Sequence, residues 1–435
     1  MRVIFLNRYF YPDHSATSQM LSDLAFFLAG AGIEVCVVTS GQRYDDAAAV
    51  LPARERIDGV EVHRVRTTRF GRDNLVGRAA DYATFYLGAG WRLWRIARAG
   101  DVIVAKTDPP LISVVAALVA RWRGARLINW VQDVFPEVAE ALGVRVLAGP
   151  QAGLLRRLRN AAFRSAAANV VLGERMAEVV GRAGGQIDRA VRESPKGISF
   201  RAQARSHKGR IRVIPNSHKG RIRVIPNWAD MEAIRPIAAA DNPLRADWGL
   251  DGKFVVCYSG NMGRVHEFGT ILDAAQRLAG EAEAIVFLFI GGGAQRRVVE
   301  DEVRRRGLAN VQFRPYQDRA GLSFSLGVGD VHLVSQRPEV EGYVFPSKLY
   351  GILAAGRPVV FIGDAQGEIS LLVEREGIGA ALRQGDAAGL AEQLLRLSGD
   401  AAMRDAMGGR SRALLCERYD KRIALEAWLE LLREL

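Results

Sequence analysis

The chain of 435 residues is 49% hydrophobic and 25% charged, a globular composition too long for one core, so we expect two domains. Its net charge of +12 is concentrated in residues 1–230, which carry +15, whereas residues 231–435 carry −3. This asymmetry predicts either an anionic partner for the first half or a solvated arginine-rich surface. Three widely spaced cysteines and the lack of an apolar run of about 20 residues argue against a disulfide framework and a membrane-spanning helix.

The first half of the chain alternates strand-like and helix-like segments. Met1 runs directly into the strand-like RVIFLN, which leaves no room for a signal peptide, so we expect a cytoplasmic protein. A helix-like segment and a second strand, 33–40, complete a parallel βαβ unit. The connecting loop lacks the G-x-G-x-x-G pattern of dinucleotide-binding proteins, which argues against a dehydrogenase.

The segment ADYATFYLGAGWRLWRIARAG predicts a helix with aromatic residues on its apolar faces and arginines beside them. Such a helix either lies in a membrane interface or packs on its own sheet. Further along, Asp133 ends the predicted strand RLINWVQD, at the edge of the sheet where a ligand would bind. Its carboxylate either orients or deprotonates an acceptor hydroxyl, or caps the helix that begins near Pro136.

An exact tandem repeat interrupts this alternation. SHKGRIRVIPN occupies 206–216 and again 217–227, after a stretch without periodicity. We predict that the second copy forms the last strand of the first sheet and that 183–216 is a poorly packed insertion, whose positive charges include Lys208, Arg210 and Arg212. The expected first domain is therefore 1–227 and the second 228–410. The remaining segment, 411–435, reads as one amphipathic helix that closes the second domain or crosses back to the first.

The second half carries glycines at the ends of its predicted strands. FVVCYS leads into a loop with Gly260 and Gly263, and AIVFLFI leads into three consecutive glycines. The strand NVQFRPY brings Arg314 and Tyr316 to its end. Glycine turns of this kind let a phosphate or a sugar approach the backbone closely.

The segment 339–364 gives the strongest functional signal. Pro346 and Gly356 bracket a short helix between two apolar strands, 330–336 and 359–362, so Ser347 and Lys348 lie at the helix start, near the carboxyl end of the sheet. There they would stabilise an anion such as a departing nucleoside diphosphate. In the alternative interpretation, Ser347 caps the helix and Lys348 is a solvated residue of the first turn.

Taken together and in this order, six stretches resemble glycosyltransferase family 4, in particular its surface-polysaccharide and O-antigen members: NRYFYPDHSATSQMLSDLAFFLAGAGIEVCVVTS, NWVQDVFPE, VIPNWADMEAIRP, YSGNMG, FIGGG and VFPSKLYGILAAGRPVV. The resemblance covers most of the chain outside 183–216. It implies the GT-B fold, an α/β architecture of two Rossmann-like, doubly wound parallel-sheet domains facing a cleft. It also implies a retaining transfer of a sugar from a nucleoside diphosphate.

The resemblance implies a role for each matching residue. The catalytic residues would be Asp133, Lys348 and Arg264, with Gln132 standing where many relatives have His. The donor would contact Gly260, Asn261, Gly263, Arg314, Tyr316, Pro346 and Ser347. Two glutamates that many relatives use are absent, because their positions hold Tyr343 and Gly351, and this leaves Glu341 and Glu368 as the carboxylates expected to contact the donor.

The first half would then bind the acceptor, often a sugar linked to polyprenyl diphosphate at the inner face of the cytoplasmic membrane, which agrees with its basic charge. The basic residues follow no nucleic-acid-binding module, so we expect no nucleic acid partner. No Asp-x-Asp run occurs, so we expect no metal ion, and no cofactor besides the nucleotide-sugar substrate. Two alternatives stay open: a sugar-nucleotide epimerase of the same fold, and a degenerate subunit without activity.

Overall fold

The structure, a computed structural model, describes residues 1–13, 15–43, 51–70, 75–144, 149–184, 212–213, 221–280 and 284–435. They form two compact units. The first unit consists of Met1–Pro226, Gly342–Phe345 and Ala424–Leu435, and the second of Asn227–Glu341 and Pro346–Ile423. The division after Pro226 lies one residue from the boundary expected after Asn227. None of the described helices is both long and apolar enough to cross a lipid bilayer.

The first unit is built on one sheet. Its described strands are β1 (Arg2–Leu6), β2 (Glu34–Ser40), β3 (Arg54–Ile57), β4 (Val60–Val65), β5 (Val102–Lys106), β6 (Arg126–Trp130), β7 (Ala168–Val171), β8 (Arg212–Val213) and β9 (Ile222–Val224). They lie in the order β3-β4-β2-β1-β5-β6-β7-β9-β8. The pairs β3–β4 and β8–β9 are antiparallel and the others parallel. The central strands are apolar on both sides, as expected of a sheet covered on both faces.

Helices cover this sheet. They are α1 (Ala16–Gly30), α2 (Leu75–Ile96), α3 (Ile112–Arg123), α4 (Glu137–Ala141), α5 (Pro150–Ser165) and α6 (Glu174–Gly184). The aromatic and arginine-rich helix of the sequence is α2, and it does pack on its own sheet: Phe85, Ala89 and Leu93 are fully buried in the core that also contains strand residues of β1 and β5.

The two copies of the tandem repeat take different places. The second copy contributes β9, which pairs in parallel with β7, as predicted. The prediction that this strand ends the sheet is wrong, because Arg212 and Val213 of the first copy pair with its other edge in the antiparallel sense. Antiparallel pairing satisfies backbone groups that an edge strand would otherwise leave open. Lys208, Arg210 and most of 183–216 lie outside the described residues.

The second unit is built on a fully parallel sheet. Its strands are β10 (Phe254–Ser259), β11 (Ile285–Ile290), β12 (Val311–Arg314), β13 (Val331–Ser335), β14 (Val359–Gly363) and β15 (Gly379–Arg383), in the order β12-β11-β10-β13-β14-β15. Its helices are α7 (Pro243–Asp247), α8 (Gly269–Leu278), α9 (Arg296–Arg306), α10 (Leu322–Gly327), α11 (Lys348–Ala354), α12 (Glu368–Glu376), α13 (Ala387–Gly399), α14 (Ala401–Leu414) and the start of α15 (Lys421–Glu434).

The carboxyl-terminal segment is not the single helix that its sequence predicts. After α14 a π-helical turn, Leu415–Tyr419, leads to Asp420 in extended conformation, and α15 begins behind it. The Asp420 carboxylate accepts hydrogen bonds from the backbone of Arg422 (3.1 Å) and Met231 (3.2 Å), which fixes the break. Residues from Ala424 onward belong to the first unit, where Trp428 packs against Trp130 with ring centroids 4.8 Å apart.

Each sheet has one place where the order of its strands reverses, between β1 and β5 in the first unit and between β10 and β13 in the second. Loops that leave the carboxyl ends of two such strands diverge to opposite faces of the sheet. The gap between them is where open α/β sheets bind ligands. The fold therefore places a candidate site at each reversal, and most of the predicted site residues follow these strands.

Candidate functional site

Two glycine-containing loops interlock in the second unit, at the carboxyl ends of β10 and β11. We call residues 260–263 and 291–293 the glycine cradle. Met262 N–H donates a hydrogen bond to Gly292 O (2.6 Å). A Cβ on Gly293 would lie 2.8 Å from Met262 N, and Gly293 has φ +129°, a conformation that favours glycine. The two loops thus approach each other more closely than side chains would allow, and they leave their backbone accessible to a ligand.

The side chain of Lys348, from the start of α11, runs along this cradle. A Cβ on Gly260 would lie 3.6 Å from Lys348 Cε, so the lysine stem lies against the loop after β10. The predicted donor-binding residues Asn261 and Gly263 are on the same loop. The structure therefore brings together Lys348 and the first predicted glycine loop, although 88 positions separate Gly260 from Lys348 in the sequence.

The ammonium of Lys348 is held by two residues that the sequence did not single out. Lys348 is half-buried, and its Nζ donates a hydrogen bond to the Tyr258 hydroxyl and lies 3.8 Å from the centroid of that ring. Nζ is also 3.3 Å from His266 Nε2. Loss of hydration holds the pKa of Lys348 well below its ordinary value. The alternative of a solvated first-turn lysine is therefore wrong.

His266 is fixed in one tautomer by its other neighbour. Its Nδ1 lies 2.6 Å from the Ser335 carbonyl oxygen, which can only accept, so Nδ1 carries the hydrogen and Nε2 is left to accept from Lys348. Burial, followed by the charge of Lys348, lowers the pKa of His266 to about 3. His266 is thus a neutral acceptor that positions the lysine amine.

The helix that follows is the one bracketed in the sequence. α11 spans Lys348–Ala354, and Gly356 just beyond it has φ +63°, the left-handed conformation of a helix end. Ser347 is exposed and makes no capping hydrogen bond, so its interpretation as a side-chain cap is wrong. Pro346 is buried behind it. The hydroxyl of Ser347 is therefore available to a ligand at the start of the helix.

Of the two predicted donor contacts that follow β12 or end it, Tyr316 lies beside the cradle. Its ring is 56% exposed and packs on Gly291 and Gly292, where a Cβ would come within 3.2 and 3.1 Å of ring atoms. Arg314 makes other contacts: its guanidinium donates to the Trp248 carbonyl (3.3 Å) and lies over the Trp248 ring. Tyr316 therefore offers an aromatic surface next to the cradle, whereas the Arg314 side chain supports the fold.

The two carboxylates expected to contact the donor lie together. Glu341 Oε1 accepts a hydrogen bond from the Glu368 backbone N–H (2.8 Å), so Glu341 stabilises the start of α12. The Glu368 side chain is half-buried, and its charge adds to the desolvation that raises the pKa of Tyr419 to about 12. Arg264 is exposed on the loop after β10. The roles of these three residues toward a donor stay predictions.

In the first unit, Asp133 follows β6 at the carboxyl edge of the sheet. It forms a β-bridge with Val344, and α4 begins after Pro136 without a side-chain cap, so the capping interpretation is wrong. The Asp133 carboxyl is solvent-accessible, yet the surrounding protein desolvates it and, together with Asp108, raises its pKa to about 6. Asp133 also lines a shallow surface depression together with Thr107, Phe135 and Arg159.

The sequence did not single out one buried lysine, which ends the strand next to the one that Asp133 follows. Lys106, the last residue of β5, is 1% exposed, and its Nζ donates to the Thr17 carbonyl (2.9 Å) and lies 3.7 Å from the centroid of the Trp130 ring. Desolvation holds its pKa well below the ordinary value, partly offset by Asp108. The strand VIVAK gave only one signal, a charged residue at the end of an apolar run. Lys106 therefore places a buried amine at the end of the sheet that Asp133 follows.

The arrangement in the second unit can bind a phosphate. Backbone of the cradle, the Ser347 hydroxyl and the Lys348 amine surround one edge of the sheet, and an aromatic ring lies beside them. An arriving anion would favour the charged form of Lys348 and offset its desolvation. Among the described residues, no three His, Cys, Asp or Glu side chains gather as a metal site would require.

Two family models match the chain. A glycosyl transferase 4-like domain matches residues 16–192, and a domain of glycosyl transferases group 1 matches residues 253–400. The first match falls in the first unit, with Asp133 and Lys106. The second covers the glycine cradle and Lys348.

Two curated relatives are also named as glycosyltransferases. The chain is 28% identical over 341 residues to "Probable glycosyltransferase WbjE" of Pseudomonas aeruginosa, covering 78% of this chain and 76% of that protein. It is 36% identical over 149 residues to "Putative colanic acid biosynthesis glycosyl transferase WcaI" of Escherichia coli K12, covering 34% of this chain and 36% of that protein.

Solved structures share the fold. The sucrose-phosphate synthase of Thermosynechococcus elongatus matches with a TM-score of 0.73 at 17% identity, covering 100% of this chain and 99% of that one. Anabaena HepE, solved with UDP and glucose, matches with a TM-score of 0.67 at 17% identity over 100% of both chains. WaaG, a glycosyltransferase of lipopolysaccharide biosynthesis, matches with a TM-score of 0.63 at 15% identity, covering 98% of each chain. The chain belongs to glycosyltransferase family 4 and is a glycosyltransferase of the GT-B fold.

Proposed function

We propose that this enzyme transfers a sugar from a nucleoside diphosphate to a hydroxyl of a lipid-linked saccharide during the synthesis of a surface polysaccharide, with retention at the anomeric carbon and without a metal ion. The observation that carries the proposal is the glycine cradle with the Lys348 amine beside it. The relative WcaI, which is named for colanic acid biosynthesis, supports the polysaccharide product. Anabaena HepE, solved with UDP and glucose, supports a nucleotide-sugar donor.

In this proposal the donor diphosphate binds against the cradle backbone, the Ser347 hydroxyl and Lys348, and the base stacks on Tyr316. When the bond from the anomeric carbon to the diphosphate oxygen breaks, that oxygen takes the electron pair and becomes more negative. A preorganised ammonium and backbone N–H groups stabilise this charge more than they stabilise the bound donor, which lowers the barrier. Lys348 would thus supply the positive charge that a divalent cation supplies in other transferases.

For a single displacement with retention, the acceptor oxygen must bond to the anomeric carbon on the face that the diphosphate leaves, and the hydroxyl must lose its proton as that bond forms. Asp133 suits this task, because the pKa of its carboxyl is raised to about 6, close to neutral pH, and a general base works best when its pKa is near the working pH. Lys106 lies buried beneath the same sheet edge and would orient this region rather than react.

A lipid-linked acceptor would bring the enzyme to the cytoplasmic face of the membrane. The basic first half of the chain, with a net charge of +15 in residues 1–230, supports an acceptor that carries phosphate. Electrostatic attraction of this kind raises the local concentration of an anionic substrate and its rate of association.

The proposal is tested by mixing the purified full-length enzyme with a panel of UDP- and GDP-sugars and a short-chain lipid diphosphate saccharide, with and without EDTA. We expect one donor to release its nucleoside diphosphate only when acceptor is present, and the product to keep the donor's anomeric configuration by NMR. Inverted configuration would refute retention, and loss of activity in EDTA would refute metal independence. If no donor releases nucleotide with any lipid-linked or free saccharide, the transferase proposal fails.

The same assay separates the two rival functions. An epimerase would convert the donor sugar with no acceptor present, which NMR of the recovered donor would reveal. A degenerate subunit would leave every donor unchanged, and Lys348→Ala would then behave as the wild type does. The family match and the named relatives favour the transferase.

A further inference from the structure

Three neighbouring helices of the first unit, α2, α3 and α5, expose apolar side chains. α3 packs against both of the others, and Gly90 of α2 comes so close to α3 that a Cβ there would lie 2.8 Å from a Val115 methyl. The outward apolar side chains, each at least 40% exposed, are Val76, Leu87, Trp91 and Trp94 of α2, Leu118 and Trp122 of α3, and Leu154 and Leu158 of α5. We call them the three-helix face.

Packing on the sheet does not explain this face. α2 already buries Phe85 and Leu93 completely on its inner side. On the outer side, Leu87 is 75% and Trp91 60% exposed, where a helix at the surface of a globular domain normally carries polar residues. The helix therefore has two apolar sides, and the described part of the first unit covers only one of them.

The exposed tryptophans of the chain gather here. Three of the seven tryptophans are exposed, and all three lie on the three-helix face: Trp91, Trp94 and Trp122. The rings of Trp91 and Trp94 stack with centroids 5.4 Å apart, and the guanidinium of Arg123, from α3, lies 5.7 Å from the Trp94 centroid. Indole rings with adjacent guanidinium groups match the boundary between acyl chains and phosphate headgroups.

The charge of the three helices has one sign. Their sequences contain nine arginines and a single acidic residue, Asp81, which is buried and lies 3.7 Å from Arg8. The second unit offers a contrast in α9, whose exposed Arg304 and Arg305 pair with acidic residues of the same helix. Arg156 and Arg159 of α5 pair with acidic residues of the neighbouring helix α4, so the positive potential of the three-helix face comes from the arginines of α2 and α3.

We propose that the three-helix face docks the enzyme on an anionic phospholipid bilayer, with its indole and leucine side chains at headgroup depth and its arginines on lipid phosphates. A second copy of the chain is a poorer occupant, because two such faces would bring arginines against arginines. The surface is separate from the glycine cradle, and the proposal depends on no particular donor or acceptor. Its failure and that of the proposed function are therefore distinguishable.

The test measures sedimentation of the full-length enzyme, without nucleotide or acceptor, with vesicles of phosphatidylglycerol and phosphatidylethanolamine or of phosphatidylcholine alone. Two variants disrupt the face: Trp91→Ser with Trp122→Ser, and Arg95→Glu with Arg121→Glu. The matched control, Arg304→Glu with Arg305→Glu, makes the same change in charge on α9. We expect binding to anionic vesicles that both test variants reduce at least tenfold, while the control stays within twofold of the wild type.

Tryptophan fluorescence adds a reading that only insertion would produce. Since the exposed tryptophans all lie on the face, brominated lipids in anionic vesicles should quench wild-type emission, and the Trp91→Ser, Trp122→Ser variant should lose most of that quenching. The proposal is overturned if the wild type does not bind anionic vesicles at low salt, if it binds phosphatidylcholine equally well, or if the test variants bind like the control. It is also overturned if the variants instead abolish a dimer or an association with nucleic acid while leaving vesicle binding unchanged.

Discussion

Gly293 is a position where a single methyl group should damage the glycine cradle. A Cβ there would lie 2.3 Å from Asn261 Oδ1 and 2.8 Å from Met262 N. The asparagine side chain can rotate away, but the Met262 backbone cannot move without shifting the loop after β10. The φ of +129° adds strain of about 1–3 kcal/mol for a residue with a side chain. Gly293→Ala should therefore lower stability by roughly that amount and displace the loop.

Gly307→Ala is the matched control. Gly307 has φ +65°, and no atom lies within 4 Å of its added Cβ, so alanine there costs about 1 kcal/mol through the backbone alone. Thermal unfolding and titration with UDP and GDP would be measured for both variants. We expect Gly293→Ala to lose at least tenfold in nucleotide affinity, about 1.4 kcal/mol, and the control to bind as the wild type does. Equal affinity in the two variants would refute the idea that the interlocked loops form the donor site.

Three further predictions concern charged and titrating groups. Lys348→Met should lower kcat by about 10²–10³ through loss of transition-state stabilisation, whereas Lys253→Met, just before the amino end of β10, should leave kcat unchanged in the same nucleotide-release assay. The wild-type rate should fall as pH drops below about 6, where Asp133 becomes protonated, and Asp133→Asn should remove this inflection from the pH–rate profile. Burial lowers the pKa of His332 from 6.5 to about 4, so the folded protein favours the neutral ring. The contribution of this neutral ring to the free energy of unfolding is fully present above pH 6.5 and is lost as the pH falls toward 4. This loss amounts to about 1.4 kcal/mol per pH unit, and His332→Gln should reduce the fall of the melting midpoint across that window.

Much of the fold could be predicted because its signals are local. Apolar strands alternate with helical patterns, Pro346 and Gly356 bracket α11, and glycines follow β10 and β11. The parallel two-domain architecture expected from the sequence is confirmed. The prediction of one continuous helix at the carboxyl terminus was wrong. The break at Asp420 depends on a hydrogen bond from the Met231 backbone N–H, almost 190 positions away in the sequence.

The parts of the site that could not be predicted depend on contacts between distant segments. Nothing local links Tyr258 or His266 to Lys348, and the lysine environment arises only when β10 and β13 lie side by side. Glu341 was expected to contact the donor, but its hydrogen bond to the start of α12 depends on how that loop folds back. The sequence of α2 showed apolar residues on more than one side of the helix. That these residues continue over α3 and α5 as one surface could not be predicted, because it depends on how the three helices pack.

The proposed activity depends most on binding of a nucleoside diphosphate by the second unit at the glycine cradle and Lys348. Calorimetric titration of the wild type and of Lys348→Met with UDP and with GDP tests this directly. We predict that the wild type binds one of the two nucleotides, and that the variant binds it at least tenfold more weakly. Absence of binding of either nucleotide to the wild type at millimolar concentration, or equal affinity in the folded variant, would contradict the account.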